Sequence, residues 1–270
     1  VTDGIILLEP CARNTAPAIA LAALTAASPE AVMLVMPSDH VILHPDAFHR
    51  ATDALSPFAN DGWLATYGIN PSGPETGYGY IQTGTKVGAD VYEVKRFVEK
   101  PDVNRAAAMI ATGDHVWNGG IFLFRADSYL DAVQEHAPAM GFAVRAAMGK
   151  AQRNGNLVRP HHESFASSPA DSIDYAIMEK AEKVAVAPIS MGWSDVGSWD
   201  ALHDIGQKDI DGNVTSGTVR IDQSNGNLIH ANGIRVSVHG VKDMLIIANG
   251  SAVMILPRGT SQKVREFAKD

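Results

Sequence analysis

Residues 31–40 of this 270-residue chain read Ala-Val-Met-Leu-Val-Met-Pro-Ser-Asp-His. The first six residues are all apolar, and Pro37 and Ser38 then end the run. A short apolar run bounded by turn residues predicts a strand that is buried on both faces, as in a parallel sheet covered by helices. Asp39 follows this predicted strand at its carboxyl end.

A second stretch of the same form ends near residue 190. Its apolar run covers 184–189, and Asp195 follows in the Gly-, Ser- and Trp-rich segment 191–199. In open α/β sheets, ligands bind beyond the carboxyl ends of strands. Two carboxylates in that place suit a hard divalent cation that also holds phosphate oxygens. The sequence therefore predicts phosphate chemistry, with Asp39 and Asp195 as candidate metal ligands.

Strands and helices alternate through most of the chain. The predicted strands cover 5–8, 31–36, 63–69, 91–98, 119–124 and 184–189. The predicted helices cover 15–27, 46–59, 101–113, 127–136, 138–153 and 171–182. This alternation predicts an α/β protein with a mixed, mainly parallel sheet flanked by helices.

The pattern changes at about residue 209. Short Val- and Ile-rich runs are then separated by Asp-Gly or Asn-Gly pairs at 211–212, 225–226, 232–233 and 249–250. Such pairs predict successive β turns. We expect residues 1–209 to form one domain, and residues 210–270 to form a small β-rich tail domain that closes with a helix at about 260–269.

The composition excludes several classes of protein. The net charge is −8 and no run of five basic residues occurs, so the basic surface of a nucleic-acid binder is missing. Cys11 is the single cysteine, which excludes a disulfide framework within the chain and fits a reducing compartment. No stretch reaches the ~18–20 apolar residues of a membrane span, and no signal peptide opens the chain. We expect a cytoplasmic protein without nucleic-acid or membrane partners.

The acidic and basic candidates have ordinary structural alternatives. Asp39 alone is equally compatible with a helix N-cap, whereas the tryptophan-rich surroundings of Asp195 favour a functional role. Lys100 is a compact charge suited to a phosphate, and Glu99 is suited to sugar hydroxyls, although spacing alone favours a solvated pair. Asp174 is either a ligand or a first-turn carboxylate that the helix dipole favours.

The glycine-rich and histidine-containing segments are less informative. The segment 117–120 offers the Asn118 amide beside backbone without Cβ atoms, or is a tight turn before a strand. In the run 77–84 the third glycine is misplaced for a dinucleotide fingerprint, and no helix opens there. No HExxH motif or Cys/His zinc spacing occurs.

Taken together, several segments resemble the mannose-1-phosphate guanylyltransferases, a family of sugar-nucleotide pyrophosphorylases. The resemblance extends in order from residue 5 to about residue 215. The segments that carry it are Leu8-Glu9-Pro10, Arg13-Asn14-Thr15-Ala16-Pro17-Ala18-Ile19, Pro37-Ser38-Asp39-His40, Glu75-Thr76-Gly77-Tyr78-Gly79-Tyr80-Ile81, Phe97-Val98-Glu99-Lys100-Pro101, Trp117-Asn118-Gly119-Gly120, Asp171-Ser172-Ile173-Asp174-Tyr175-Ala176-Ile177-Met178-Glu179-Lys180 and Gly192-Trp193-Ser194-Asp195-Val196-Gly197-Ser198-Trp199.

The resemblance implies a Rossmann-like core with a β-helix-like tail. It also implies a Mg²⁺-dependent reaction of GTP with mannose 1-phosphate that gives GDP-mannose and pyrophosphate. The matching catalytic positions are Asp39 and Asp195 as metal ligands and Lys100 at the sugar phosphate. The matching substrate-binding positions are Glu9 and Asn14 on the nucleotide side, and Gly79, Tyr80, Glu99, Asn118 and Asp174 on the sugar side.

Two features depart from the family pattern. The family opens with a strand and a Gly-rich loop that wraps the nucleoside triphosphate, and no such segment precedes Val1. We expect one of two explanations: either the given sequence has lost this strand and loop, or the chain cannot perform the reaction. Gly119 stands where the family has a serine.

The alternatives to this enzyme are a non-catalytic sugar-nucleotide-binding or regulatory module, and a nucleotidyltransferase for another hexose 1-phosphate. The oligomeric state stays open, with a homodimer as one option.

Overall fold

The computed structural model describes residues 4–264, except for the side chain of Gln262. The described residues divide into two compact units. The first contains residues 4–37 and 44–191, and the second contains residues 38–43 and 192–264. The expected domains, 1–209 and 210–270, stay a prediction.

A six-stranded sheet lies at the centre of the first unit. In spatial order its strands are β2 (Val32–Val35), β7 (His115–Arg125), β4 (Leu64–Ile69), β10 (Val184–Ile189), β6 (Val91–Val98) and β5 (Tyr80–Gly88), with a further pairing of β7 and β5. β4 and β10 are parallel. β7 is antiparallel to β2, β4 and β5, and β6 is antiparallel to β10 and β5.

The mixed α/β sheet expected from the sequence is confirmed. β2, β4, β5 and β10 point in one direction, as a mainly parallel sheet requires. Most neighbouring strands are nevertheless antiparallel, because β7 lies between β2 and β4 and β6 lies between β10 and β5. A smaller sheet joins β1 (Ile6–Leu7), β9 (Leu157–Arg159) and β8 (Gln152–Asn154) in that order.

Helices pack around the central sheet. They are α1 (Thr15–Ala23), α2 (Pro45–Asn60), α3 (Val103–Thr112), α4 (Ala126–His136), α5 (Pro138–Gly149) and α6 (His162–Ala166). α2 packs on β4, β7 and β10, while α1, α4 and α5 pack on one another. Phe124, Tyr129 and Ile177 are fully buried in the core that α1, α4 and α5 enclose. Burying such side chains contributes roughly 1.5–3 kcal/mol each.

The caps of α3 show how the sequence sets helix ends. Oδ1 of Asp102 accepts hydrogen bonds from the backbone N–H groups of Asn104 and Arg105, both at 3.0 Å. At the other end, Gly113 has φ 75°, a left-handed conformation that glycine adopts without steric cost. The helix expected at 101–113 therefore forms between these two caps.

Several local expectations were wrong. The strand expected at 31–36 is not buried on both faces, because β2 is an edge strand in which Val32 and Leu34 are 41% and 42% exposed. The helix expected at 138–153 ends at Gly149, because residues 152–154 form β8. α1 ends at Ala23 and not near Ala27. Residues 117–120 lie inside β7, which excludes the tight turn that the sequence analysis left open as an alternative for this segment. The helix expected at 171–182 is a single π-helical turn, Asp174–Met178, in which the N–H of Glu179 donates to the carbonyl of Asp174 at 2.9 Å. Such π turns occur frequently at functional sites.

The second unit is rich in strands. β3 (Val41–Ile42) pairs with β11 (Trp193–Ser194), and α7 (Trp199–Ile205) follows. The remaining strands are β12 (Val214–Asp222), β13 (Leu228–His239), β14 (Met244–Asn249) and β15 (Ala252–Pro257). β12, β13 and β14 are parallel to one another, whereas β14 and β15 are antiparallel. The small β-rich, β-helix-like tail is therefore confirmed.

Two buried asparagines link successive strands of this tail. Nδ2 of Asn227 donates to Oδ1 of Asn213 at 2.9 Å and to the carbonyl of Val241 at 3.0 Å. Oδ1 of Asn227 accepts from the N–H of Met244 at 2.9 Å. Buried polar groups cost little free energy only when they are hydrogen-bonded, as these are.

The end of the described chain is a short 3-10 turn, Ser261–Lys263. The helix expected at 260–269 falls mainly on residues 265–270, which lie outside the described residues. Between residues 4 and 264, no helix combines the length and the apolar character that a membrane crossing needs.

Candidate active site

The pairing of β3 with β11 brings the segments of Asp39 and Asp195 side by side. Trp193 lies opposite Ile42 and Ser194 lies opposite Val41. Asp195 directly follows Ser194, and His40, the neighbour of Asp39, directly precedes Val41. The two carboxylates favour the charged form of His40, but desolvation by burial is larger and leaves the pKa of His40 lowered.

Asp39 is not a helix cap, because His44 occupies the N-cap position of α2. This removes the structural alternative that the sequence left open for Asp39. Two acidic residues that are 156 positions apart in the sequence therefore lie within electrostatic reach of one histidine.

The loop after β11 fixes the carboxylate of Asp195. The N–H of Gly197 donates to Oδ1 of Asp195 at 3.1 Å, and the N–H of Val196 donates to Oγ of Ser194 at 3.1 Å. A Cβ atom at Gly197 would lie 2.8 Å from Oδ2 of Asp195, so only glycine leaves the carboxylate in this position. Val196 has φ 49°, which is strained for a β-branched residue. Such strain clusters at functional sites.

A second cluster forms in the first unit around Asn118 of β7. Its Nδ2 donates to Oδ1 of Asp174 at 2.6 Å, and its backbone N–H donates to the carbonyl of Gly79 at 2.8 Å. A Cβ atom at Gly79 would lie 2.5 Å from Oε2 of Glu99. The structure thus gathers Gly79, Glu99, Asn118 and Asp174, which are distant in sequence, at one place.

Lys100 supplies the positive charge of this cluster. Its Nζ lies 2.9 Å from Oε1 of Glu99, and its side chain is 64% exposed whereas that of Glu99 is 22% exposed. The hydrogen bond to Glu99 raises the pKa of Lys100, and Tyr175 and Asp174 act in the same direction. Lys100 also has φ 42°. A solvated ion pair alone does not require a left-handed backbone, so the geometry favours a positioned ammonium group.

Burial raises the pKa of Asp174 and of the nearby Glu179. Desolvation raises the pKa of Asp174, with a further contribution from Glu99, while the hydrogen bond from Asn118 acts in the opposite direction. Desolvation and the charges of Asp174 and Glu99 also raise the pKa of Glu179. Sequence reasoning included Glu179 in a family segment but gave it no role. The local sequence pattern does not show this role, because it predicts an α-helix, whereas Glu179 meets Asp174 through the π turn.

Tyr80 is fully buried beside this cluster. Its hydroxyl donates to the carbonyl of Glu75 at 3.0 Å, and desolvation raises the pKa of Tyr80. Next to it, the rings of Tyr78 and Trp117 pack edge to face, with centroids 5.1 Å apart. Tyr80 therefore holds the loop that carries Gly79, and its contact with a substrate stays a prediction.

The two nucleotide-side candidates lie in different surroundings. Asn14 is the N-cap of α1, has φ 68°, and accepts a hydrogen bond from the N–H of Thr15 at 2.8 Å. Oγ1 of Thr15 in turn accepts a hydrogen bond, at 2.9 Å, from the N–H of Ile173. Ile173 directly precedes Asp174. Glu9 lines a cavity of about 500 Å³ together with Lys150 and Arg159, and burial raises the pKa of Glu9.

Between residues 4 and 264, no group of three or more His, Cys, Asp and Glu side chains is arranged to hold a metal ion. Mg²⁺, however, is usually bound by one or two carboxylates, and water and substrate phosphates complete its coordination. The Asp39–Asp195 pair is a donor set of that kind.

Comparison with known proteins identifies relatives of this chain. A family model described as nucleotidyl transferase matches residues 4–212. The mannose-1-phosphate guanylyltransferase of Escherichia coli K12 is 42% identical over 277 residues, which cover 100% of this chain and 58% of that protein. The alginate biosynthesis protein AlgA of Pseudomonas aeruginosa is 42% identical over 269 residues, which cover 98% of this chain and 56% of that protein.

A solved structure from Thermus thermophilus, described as a mannose-1-phosphate geranyltransferase, is 32% identical and superposes with a TM-score of 0.85. It matches 97% of this chain and 76% of its own chain. The chain belongs to the nucleotidyl transferase family. The resemblance to the mannose-1-phosphate guanylyltransferases is confirmed, and the chain spans a little over half the length of the two curated relatives described above.

Proposed function

We propose that the full-length protein transfers GMP from GTP to mannose 1-phosphate and so forms GDP-mannose and pyrophosphate. The observation that carries this proposal is the cluster of Glu99, Lys100, Asn118 and Asp174, which combines carboxylates and an amide suited to sugar hydroxyls with an ammonium group suited to a phosphate. The activity named for the relative from E. coli K12 supports the choice of substrates.

The proposed reaction is a direct displacement at phosphorus. An oxygen of the sugar 1-phosphate forms a bond to the α-phosphorus of GTP, and the bond from that phosphorus to pyrophosphate breaks. The attacking oxygen is already anionic, so no general base is needed. The protein has to hold two mutually repelling anions in line and to neutralise the charge that develops.

The sugar-side residues divide this work among them. Lys100 is mostly exposed and carries a fixed positive charge, so it holds the phosphate of the sugar. Glu99 and Asp174 accept hydrogen bonds from sugar hydroxyls, and Asn118 sets the orientation of Asp174. Gly79 lets the carboxylate of Glu99 lie against the backbone and so sets its position for a sugar hydroxyl, because a Cβ atom at Gly79 would lie 2.5 Å from Oε2 of Glu99.

The nucleotide-side roles of Glu9 and Asn14 are part of the same proposal. Oδ1 of Asn14 is engaged in the cap of α1, which leaves its Nδ2 to donate to a base carbonyl. The carboxylate of Glu9 faces a cavity and accepts hydrogen bonds from base or ribose donors.

Asp39 and Asp195 would hold Mg²⁺. When bound, the ion neutralises phosphate charge and fixes the geometry of the reacting groups. The residues around the pair serve to keep the two carboxylates in place, through the N–H of Gly197 and the β3–β11 pairing.

The test is a pyrophosphate-release assay on the full-length protein with GTP, mannose 1-phosphate and Mg²⁺. We expect turnover by the wild type and a loss of at least about a hundredfold in Asp195→Ala and Asp39→Ala, with unchanged thermal unfolding. Asp131→Ala, on the surface of α4, is the matched control and should retain full turnover.

Three other outcomes would change the proposal. Binding of GDP-mannose by calorimetry without pyrophosphate release would favour a binding module. Faster release with another hexose 1-phosphate would keep the chemistry and change the substrate. Full activity of Asp195→Ala with ordinary metal dependence would remove the assigned site.

A further inference from the structure

His40 makes a hydrogen bond that determines where its proton lies. Nε1 of Trp193 and Nδ1 of His40 are 3.1 Å apart, and the two rings meet edge to face at 85° with centroids 5.2 Å apart. An indole nitrogen is only a donor. Nδ1 of His40 must therefore offer a lone pair, which excludes both the imidazolium form and the form with hydrogen on Nδ1. The ring is the neutral tautomer with hydrogen on Nε2.

This donor stands beside the proposed metal ligands. His40 follows Asp39 in the chain and directly precedes Val41, which pairs with Ser194, the neighbour of Asp195. Within residues 4–264, Trp193 supplies the hydrogen bond to this ring, and the charges that act on it are those of Asp39 and Asp195. A neutral donor suits this position, because a lysine or arginine there would repel a divalent cation.

We infer that His40 contacts a substrate phosphate, and that Trp193 holds it in the tautomer that donates from Nε2. This inference deepens the proposed nucleotidyl transfer and rests on it. Nε2–H donates to an oxygen of the phosphate that would lie on the cation held by Asp39 and Asp195, while Trp193 prevents the ring from presenting a lone pair to that anion.

Paired amide substitutions separate the two ring nitrogens. The amide of Gln reaches about as far as Nε2, whereas the amide of Asn reaches only about as far as Nδ1. We expect kcat of His40→Asn to fall about a hundredfold, as for the loss of one charge-stabilising donor, and His40→Gln to stay within about tenfold of the wild type. The kcat of Trp193→Phe should lie between the kcat values of these two His40 variants. His49→Gln, exposed on α2, is the control and should match the wild type.

A spectroscopic readout does not depend on turnover. In protein labelled with ¹⁵N-histidine, we expect His40 to show an unprotonated Nδ1 and a protonated Nε2, and Trp193→Phe to show a mixture of tautomers. Addition of inorganic pyrophosphate with Mg²⁺ should shift the Nε2 signal and leave that of His49 unchanged.

The outcomes distinguish this inference from the proposed function. If the wild type releases no pyrophosphate, the proposed function fails, and the pyrophosphate titration still tests the contact of His40. A protonated Nδ1, an Nε2 signal that does not respond to pyrophosphate, or wild-type kcat in His40→Asn would each overturn the role of His40. Thermal unfolding of each variant identifies any loss that comes from misfolding.

Discussion

Asn118 donates a 2.6 Å hydrogen bond to Asp174, although the two residues are 56 positions apart in the chain. The bond joins the interior of β7 to the first residue of the π-helical turn. A carboxylate whose pKa is raised by desolvation and by Glu99 thereby keeps one defined orientation. The electrostatic cost of burying it indicates a functional demand on this position.

Replacement of Asp174 by Asn should change the dependence of stability on pH. The native pKa of Asp174 lies above its ordinary value of 3.8, so between these two values the native state holds more protons than the unfolded state. The free energy of unfolding of the wild type therefore falls as pH rises through that window. Urea unfolding at pH values from about 3 to 7 should show a smaller decline in Asp174→Asn. An unchanged slope would show that Asp174 is not responsible.

The Gly79 position offers a sharp steric test. Gly79→Ala places a methyl group 2.5 Å from Oε2 of Glu99, and the carboxylate must move. We expect kcat/KM for mannose 1-phosphate to fall about tenfold to a hundredfold, as for one charged hydrogen bond, with little change in melting temperature. Gly77→Ala, two residues earlier, meets nothing within 4 Å and is the matched control. Equal effects of the two variants would contradict the role of Glu99.

Gly197 allows a similar test of the carboxylate pair. Gly197→Ala places a methyl group 2.8 Å from Oδ2 of Asp195, which should displace one proposed ligand. We expect the Mg²⁺ concentration for half-maximal rate to rise about tenfold, as for a disturbed ligand environment. Gly73→Ala, which meets nothing within 4 Å, should leave the Mg²⁺ requirement unchanged. A normal requirement in Gly197→Ala would argue against Asp195 as a ligand.

The tail provides a prediction about stability alone. Asn227→Ala leaves the carbonyl of Val241 and the N–H of Met244 without the side-chain partners they have in the wild type. Each buried group left unsatisfied costs about 1–3 kcal/mol, so we expect a loss of about 3 kcal/mol in the free energy of unfolding, measured by urea titration. Asn232→Ala, at an exposed position, should change it by less than about 0.5 kcal/mol.

Local sequence signals predicted most of the elements. Asp102 and Gly113 determine the ends of α3 through their own side chain and backbone, so the expected helix at 101–113 was nearly correct. The apolar run 184–189 likewise became β10 with the same bounds. Signals of this kind depend on neighbours in the chain, which the sequence displays.

The errors arose where distant partners decide the structure. The two glycines of Trp117–Gly120 left a turn open as one alternative, yet pairing with β4 and β5 makes the segment part of a strand. The residues after Asp171 read as an α-helix, but the chain adopts one π turn in which Asp174 meets Asn118. The hydrogen bond from Trp193 to His40 joins residues that are 153 positions apart, so no local sequence pattern predicts it.

The stacked strands of the tail also determine how it would open. β12 pairs with β13, and β13 with β14, so the backbone hydrogen bonds of each of these strands link it to its immediate neighbours. Unfolding in such an array proceeds inward from its boundaries. Amide hydrogen exchange should therefore be slowest at Leu228–Asn232 and Leu245–Asn249, and fraying should begin at β15, where Val253 and Ile255 are 57% and 60% exposed.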